Sequence, residues 1–274
     1  MKNGTFGKIS ERAVRYGRLL GVFLKMSLMS QLEYRANFAA GVAVETGWML
    51  IKLLYVAVVY RAGTNIGVLT PDHVLLFIGV YVLLTGVYML YYGNFTGLST
   101  MVREGQLDMY MVKPVSLQFL VTLQKLDVSL LLPDLAAGVI MIVIGWQRAG
   151  LPVTAGAIAG FIFFLLCGCL LTYSLFLLPN LLAFWTTATQ GLGEMTAALW
   201  DFNNMPQMIY GKWMQRIGTF ILPIFVITNF PGLFLMGELS PAMMAWGVLS
   251  PVLAFIITRI VWKRAIKNYT SAST

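Results

Sequence analysis

The chain has 274 residues, 58% hydrophobic and 11% charged, with a mean hydropathy of +0.77. Soluble domains carry about a quarter charged residues, so this composition excludes a water-soluble fold and gives an integral membrane protein with room for about six spans of ~20 residues. The formal net charge of +8 gathers near the two ends of the chain, which marks a membrane face and argues against nucleic-acid binding.

Residues 1–8 are expected to lack structure. From Ser10 to Arg35, Val14, Leu19, Leu20, Phe23, Leu24, Leu28 and Leu32 recur at helical spacing, with Arg12, Arg15, Arg18 and Lys25 between them. That pattern predicts a basic amphipathic helix lying on the membrane surface against lipid. No cleavable leader is expected, because more than 30 residues precede the first long apolar run and that run is long enough to span.

Span 1 is predicted from Phe38 to Tyr60, and span 2 from His73 to Phe95 after a turn-rich loop. A polar stretch follows, Met101 to Val115. Span 3 is predicted from Phe119 to Gly145 with a kink at Pro133, and span 4 from Ala155 to Pro179. Residues 191–216 read as an interfacial or cytoplasmic helix and turn. Span 5 starts near Ile217 and is interrupted at Pro223. The Pro- and Gly-rich segment from Thr228 to Pro241 is expected to dip partway into the membrane. Span 6 covers Ala242 to Trp262. No internal repeat is visible. The expectation is one all-α domain over residues 1–274: a tail and surface helix over 1–37, a six-span bundle over 38–262 and a tail over 263–274.

With both termini on the cytoplasmic side, the cytoplasmic segments hold fifteen Lys and Arg residues and the opposite loops hold two, Arg61 and Arg148. Positive residues collect inside, so the Met101–Val115 stretch is placed in the cytoplasm. The expected location is the bacterial inner membrane.

The intramembrane polar candidates are Glu45, Lys52, Lys125, Asp127 and Asp134. Each charge at mid-bilayer costs ~2.5–3.5 kcal/mol, so such groups face the protein interior and pair. Glu45 and Lys52 are seven apart and share a helix face; Asp127 and Asp134 are expected to do the same. Two readings stay open. One is a pair of structural ion pairs, Lys52–Asp134 and Glu45–Lys125. The other is a cation or proton path, or the polar wall of a substrate route. Cys167 and Cys169 sit two apart on one helix, so they point to different faces and read as apolar fillers. Gly156–Gly160 and Gly93–Gly97 are weak candidates for close helix approach.

No phosphate-binding loop of the G-x-x-x-x-G-K-[ST] type and no H-E-x-x-H is present, and the single histidine is His73. No metal site, cofactor or catalytic residue is expected in this chain, and a membrane enzyme is disfavoured. Within Met101–Val115, Leu107, Tyr110 and Met111 form an apolar stripe on a short helix, with Arg103, Glu104 and Asp108 on other faces. Lys113 and Pro114 stop it. Such an element suits a groove on another protein.

The run R-x-G-x-L-D-x-x-x-x-K-P, here Arg103, Gly105, Leu107, Asp108, Lys113 and Pro114, resembles the cytoplasmic loop of ABC-2-type exporter permeases. It is most similar to a branch that includes viologen and multidrug exporter permeases. Ala183-Phe184-Trp185, Pro206, Tyr210 and Ile221-Leu222-Pro223 add looser agreement. The resemblance implies six spans with both ends cytoplasmic and a surface N-terminal helix. It also implies a coupling helix between spans 2 and 3, and a re-entrant segment between spans 5 and 6. By the same resemblance, a second permease and a cytoplasmic ABC ATPase dimer assemble with the chain, and ATP and Mg2+ are bound by the ATPase. Arg103, Glu104, Gly105, Leu107, Asp108, Tyr110, Lys113 and Pro114 are the coupling candidates. The competing expectation is a secondary transporter or channel driven by an ion gradient through Glu45, Asp127 and Asp134.

Overall fold

A computed structural model describes residues 3–186 and 191–269, with side chains from residue 11 onward. The described residues form helices throughout, with a single isolated β-bridge between Ile66 and Leu69. Helix α1 runs Asn3–Glu33 and α2 Arg35–Ala62, separated only at Tyr34. The backbone is helical from Asn3, so the helical pattern extends back through residues expected to be unstructured.

Helix α3, Pro71–Arg103, is the central pillar, with most of its apolar residues buried. Thr70 caps its start by accepting from the His73 amide, and Pro71 occupies the first turn, where no amide donor is needed. The helix runs eight residues past the predicted end of span 2. Met101–Arg103 are therefore its last turn and not a loop. The single turn α4, Asp108–Met111, follows, and then α5, Leu117–Leu123.

The third predicted span is divided. A break separates α5 from α6, Val128–Arg148, and Asp127 caps α6 by accepting from the Leu130 amide. Helix α7, Ala155–Asn180, starts at the Thr154 cap and matches its prediction closely. Helix α11, Pro241–Lys267, starts at the Ser240 cap.

The most extensive pairing joins α3 to α6. It rests on glycines spaced seven apart. A Cβ on Gly138 would lie 2.7 Å from the Leu83 nitrogen, and one on Gly145 would lie 2.6 Å from the Leu76 nitrogen. On the facing helix, a Cβ on Gly79 would lie 2.7 Å from the Ile142 nitrogen. Backbone meets backbone here, which is what small residues permit in a membrane bundle. The expected pairs do not serve this purpose: Gly93, Gly97 and Gly156 face open space, and Gly160 lies under the Phe234 ring.

Between α7 and α11 the path differs from the expectation. Helix α8, Leu192–Asp201, continues through short turns at Phe202–Asn204 and Gln207–Ile209. Gly193 sits beside Tyr92 and Thr96, the Trp200 indole donates to Thr85 at 3.3 Å, and Met208 packs on Gly67 in the α2–α3 loop. The segment thus climbs α3 from one end of the bundle to the other. Residues 191–209 form a passage through the bundle and not a cytoplasmic turn.

A bent pair follows. Helix α9, Lys212–Arg216, continues as a wide turn through Ile221, and α10, Ile224–Leu235, departs at 98°. Trp246, near the start of α11, donates to the Thr219 carbonyl at 2.7 Å; Ile227 packs on Gly168 in mid-α7; Phe234 returns to Gly160 near the start of α7. The pair enters from the end holding the α2–α3 loop and returns to it, as a re-entrant element does. Five other helices are long and apolar enough to cross a membrane, and the 191–209 segment supplies the remaining passage in pieces.

Candidate functional site

Two places concentrate polar chemistry: the segment between α3 and α5, and a cavity inside the bundle.

The first begins at Gly105, whose φ of +69° turns the chain out of α3. Leu107 is fully buried and anchors the turn. Lys113 lies over the Tyr110 ring, 4.7 Å from its centroid, and Glu104 accepts from Gln106 at 2.6 Å. The expected Leu107–Tyr110–Met111 stripe is therefore split. Leu107 faces the core, Tyr110 is half-buried, and the apolar side chains presented outward are Met109, Met111 and Val112, the last 83% exposed. Leu107 precedes the single turn Asp108–Met111, which is too short to carry a continuous stripe. Arg103, Glu104, Lys113 and Pro114 frame the exposed group.

This segment is tied to its surroundings. Arg15 on α1 donates to the Pro114 carbonyl at 3.0 Å, and the Ser116 amide donates to the Tyr16 hydroxyl at 3.1 Å. Tyr16 also meets the Phe119 ring edge-on at 4.7 Å. Gln118 on α5 donates to the Tyr173 hydroxyl at 3.0 Å and accepts from Arg259 on α11. Burial, and then the Asp108 carboxylate beside it, push the Tyr269 phenol up from its usual value. The α3–α5 connection is thus linked to α1 and the C-terminal tail directly, and to α7 and α11 through Gln118 of α5.

The five intramembrane ionisable residues separate into two groups. Asp127 is a cap: its Oδ1 accepts from Ser129 Oγ at 2.6 Å, from Gln31 Nε2 at 3.2 Å and from the Leu130 amide at 3.4 Å. It precedes α6 with an extended backbone, so it does not share a helix face with Asp134. Lys125 is exposed, and its carbonyl accepts from Asn94. Neither expected ion pair forms among the described residues, Lys52–Asp134 or Glu45–Lys125. The break before α6 shifts Lys125 away from the register assumed for a continuous span, and Lys52 finds another partner in Asn204.

Glu45, Lys52 and Asp134 instead line one cavity of ≈ 220 Å³. Tyr81 and Thr85 of α3 form its floor, and Trp48 of α2 and Trp200 of α8 its apolar walls. Asp201 and Asn204 close the remaining flank. Lys52 donates to Asn204 Oδ1 and lies 4.9 Å from the Tyr81 ring centroid. Trp200 stacks on Tyr88 at 4.6 Å and on Tyr81 at 6.1 Å, which fixes that wall. Asp134 is 3% exposed and its Oδ2 has no hydrogen-bond partner among the described residues. Glu45 is 7% exposed. Asp201 is exposed at the mouth.

The contributions of Trp200, Asp201 and Asn204 were hidden from sequence reasoning by assigning residues 191–216 to the cytoplasm. The available signal was the chemistry: Asp201, Asn203 and Asn204 adjoin an aromatic, Trp200, in a segment bounded by apolar runs. In the fold, Thr228 donates to Asn203 at 3.2 Å, and Asn229 accepts from the Gln207 amide at 2.9 Å, pinning the passage to α10. No group of three or more metal-ligating side chains occurs among the described residues.

No curated protein and no solved structure matches the chain significantly. Residues 46–273 match the family model described as ABC-2 family transporter protein, a match that defines the family and not a branch within it. It spans every helix from α3 to α11, the segment around α4 and all of the cavity lining except Glu45. The chain belongs to the ABC-2 family of transporter proteins and is a membrane permease component of an ABC transporter.

Proposed function

We propose that this permease forms the translocation path of an ATP-driven exporter together with a second permease, and that a cytoplasmic ABC ATPase dimer docks on the α3–α5 segment. The observation that carries the reading is the outward group of Met109, Met111 and Val112. Charged residues frame it, and it is tied to α1 through Arg15–Pro114 and Tyr16–Ser116. An exposed apolar knuckle with a charged rim is suited to a groove on a soluble partner. Because α1, α5 and α11 hold the segment, a push on it reaches the bundle. Leu107 serves as the anchor of this lever and the exposed residues as its contact face.

Charge supports placing this end in the cytoplasm of a bacterial cell. With Lys212 and Arg216 moved to the opposite end, the count of Lys and Arg is thirteen against four, still strongly positive-inside. ATP and Mg2+ belong to the ATPase in this reading. Binding of nucleotide closes the ATPase dimer, and the α4 segment with α1 conveys that closure to a bundle with two packings.

The second permease has a place to sit. Helix α2 buries only Glu45, Val56 and Val59, and Asp201 is exposed on the adjoining flank. A carboxylate facing lipid at mid-bilayer costs ~2.5–3.5 kcal/mol, so that flank suits protein or a water-filled path.

The test is co-purification with an ABC ATPase and nucleotide-dependent transport in proteoliposomes. Val112→Asp is expected to leave membrane insertion intact while reducing ATPase association and export. Transport by the chain alone, driven by an ion gradient without nucleotide, would overturn the reading.

A further inference from the structure

We infer that the cavity between α2, α3, α6 and α8 is a recognition site for an organic ammonium group. The inference rests on the cavity alone, so it stands or falls separately from the ATPase reading.

Three observations converge. First, carboxyl groups outnumber ammonium groups. Glu45, Asp134 and Asp201 line the space with Lys52, so an entering cation can take the place of a carboxyl proton. Second, Asp134 is 3% exposed, lines the cavity, and has an Oδ2 with no hydrogen-bond partner among the described residues. A buried carboxyl oxygen left unsatisfied in a membrane bundle is costly unless a ligand or water completes it. Third, the walls are aromatic. Trp48, Tyr81 and Trp200 line the space, and aromatic rings attract cations.

The site already contains an example of the ligand chemistry. Lys52 holds its ammonium 4.9 Å from the Tyr81 ring centroid and donates to Asn204. The same floor therefore accepts an amine-type cation without a directly contacting carboxylate. A second cation seated toward Asp134 and Glu45 would repel Lys52, so Lys52 limits affinity while the carboxylates create it.

Size narrows the ligand. At ≈ 220 Å³ the cavity is smaller than the 300–1,000 Å³ typical of drug-sized pockets. It fits an ammonium or trimethylammonium head, with the rest of the molecule projecting past Trp48 and Asp201 at the mouth. A bare metal ion is a poorer match, because it would gain little from three aromatic rings and would need more oxygen ligands than the cavity gathers.

The experiment is equilibrium binding of choline to the full chain in lipid nanodiscs, followed by calorimetry and by thermal stabilisation. 3,3-Dimethylbutan-1-ol serves as the neutral analogue and sodium chloride as the ionic-strength control. Choline is expected to bind saturably, and the analogue and sodium are not. Asp134→Asn should weaken choline binding about tenfold, the scale of one lost charge-assisted contact. Lys52→Met should strengthen it. Opposite signs from two residues lining one cavity are not produced by general loss of structure. Glu45→Gln provides a second carboxylate variant should Asp134→Asn not yield folded protein. Absence of saturable choline binding, equal binding of the neutral analogue, equal stabilisation by sodium, or weakening by Lys52→Met would each overturn the assignment.

Discussion

Arg15 Nη2 reaches across 99 positions of sequence to the Pro114 carbonyl at 3.0 Å. One residue along, the Tyr16 hydroxyl accepts from the Ser116 amide at 3.1 Å. Helix α1 is therefore bound to the segment that carries the exposed Met109–Val112 group. It acts as a strut for that segment.

Removing both contacts should loosen the segment without unfolding the bundle. An exposed hydrogen bond is worth ~0.5–1.5 kcal/mol, so Arg15→Ala with Tyr16→Phe is expected to lower global stability by no more than ~1–3 kcal/mol. Amide exchange at residues 115–118 should rise well beyond the change elsewhere. Unchanged protection at Ser116 would show that α1 does not restrain it.

Leu107 and Val112 should behave oppositely. Leu107 is fully buried, so Leu107→Ala is expected to cost ~2–5 kcal/mol in stability. Val112 is 83% exposed, and a surface change of this kind is expected to stay within ~0.5 kcal/mol. Thermal unfolding in detergent separates the two. Equal destabilisation would contradict the anchor-and-contact division.

The glycine seam between α3 and α6 gives a sharp stability test. Gly145→Ala puts a methyl carbon 2.6 Å from the Leu76 nitrogen, and Gly138→Ala puts one 2.7 Å from the Leu83 nitrogen. Backbone cannot rotate away, so each is expected to cost ~1–3 kcal/mol, the range of core overpacking. Gly156→Ala has nothing within 4 Å and is the control. Melting temperatures that rank Gly156→Ala as the most damaging would refute the seam.

Residues 191–209 are read as a passage from one end of the bundle to the other, which predicts sidedness. In a background with Cys167 and Cys169 replaced by Ala, Lys212→Cys should react with an impermeant maleimide added outside intact cells. Lys113→Cys should react only after permeabilisation. Labelling of both from the same side would return residues 191–216 to the cytoplasm.

Much of the scaffold is legible in the sequence because its helix starts are written in local chemistry. Thr70-Pro71, Thr154 and Ser240-Pro241 combine a side-chain acceptor with, in two cases, a proline that needs no amide partner. The turn at Gly105 and the polar stretch after it are equally visible. The cavity is not, for two physical reasons. A spacing of seven marks one face only along an unbroken helix, and Asp127 lies before α6 begins. Hydropathy also detects a passage through a continuous apolar run, whereas residues 191–209 cross as α8 and two single turns. With that passage misplaced, Trp200 and Asn204 could not be set beside Lys52. The glycine seam is not visible as a motif because its spacing is seven, whereas the three-residue gap of G-x-x-x-G belongs to a different crossing geometry.

Helix α2 has three buried residues, and one of them is Glu45. Its grip on the bundle is therefore only partly dispersion, and its polar part, Lys52 donating to Asn204, lies at the cavity. By thermodynamic linkage, whatever fills that cavity when α2 is seated also favours the seated position, and whatever seats α2 favours filling. The wall nearest the polar chamber is thus the wall whose attachment reports on its contents.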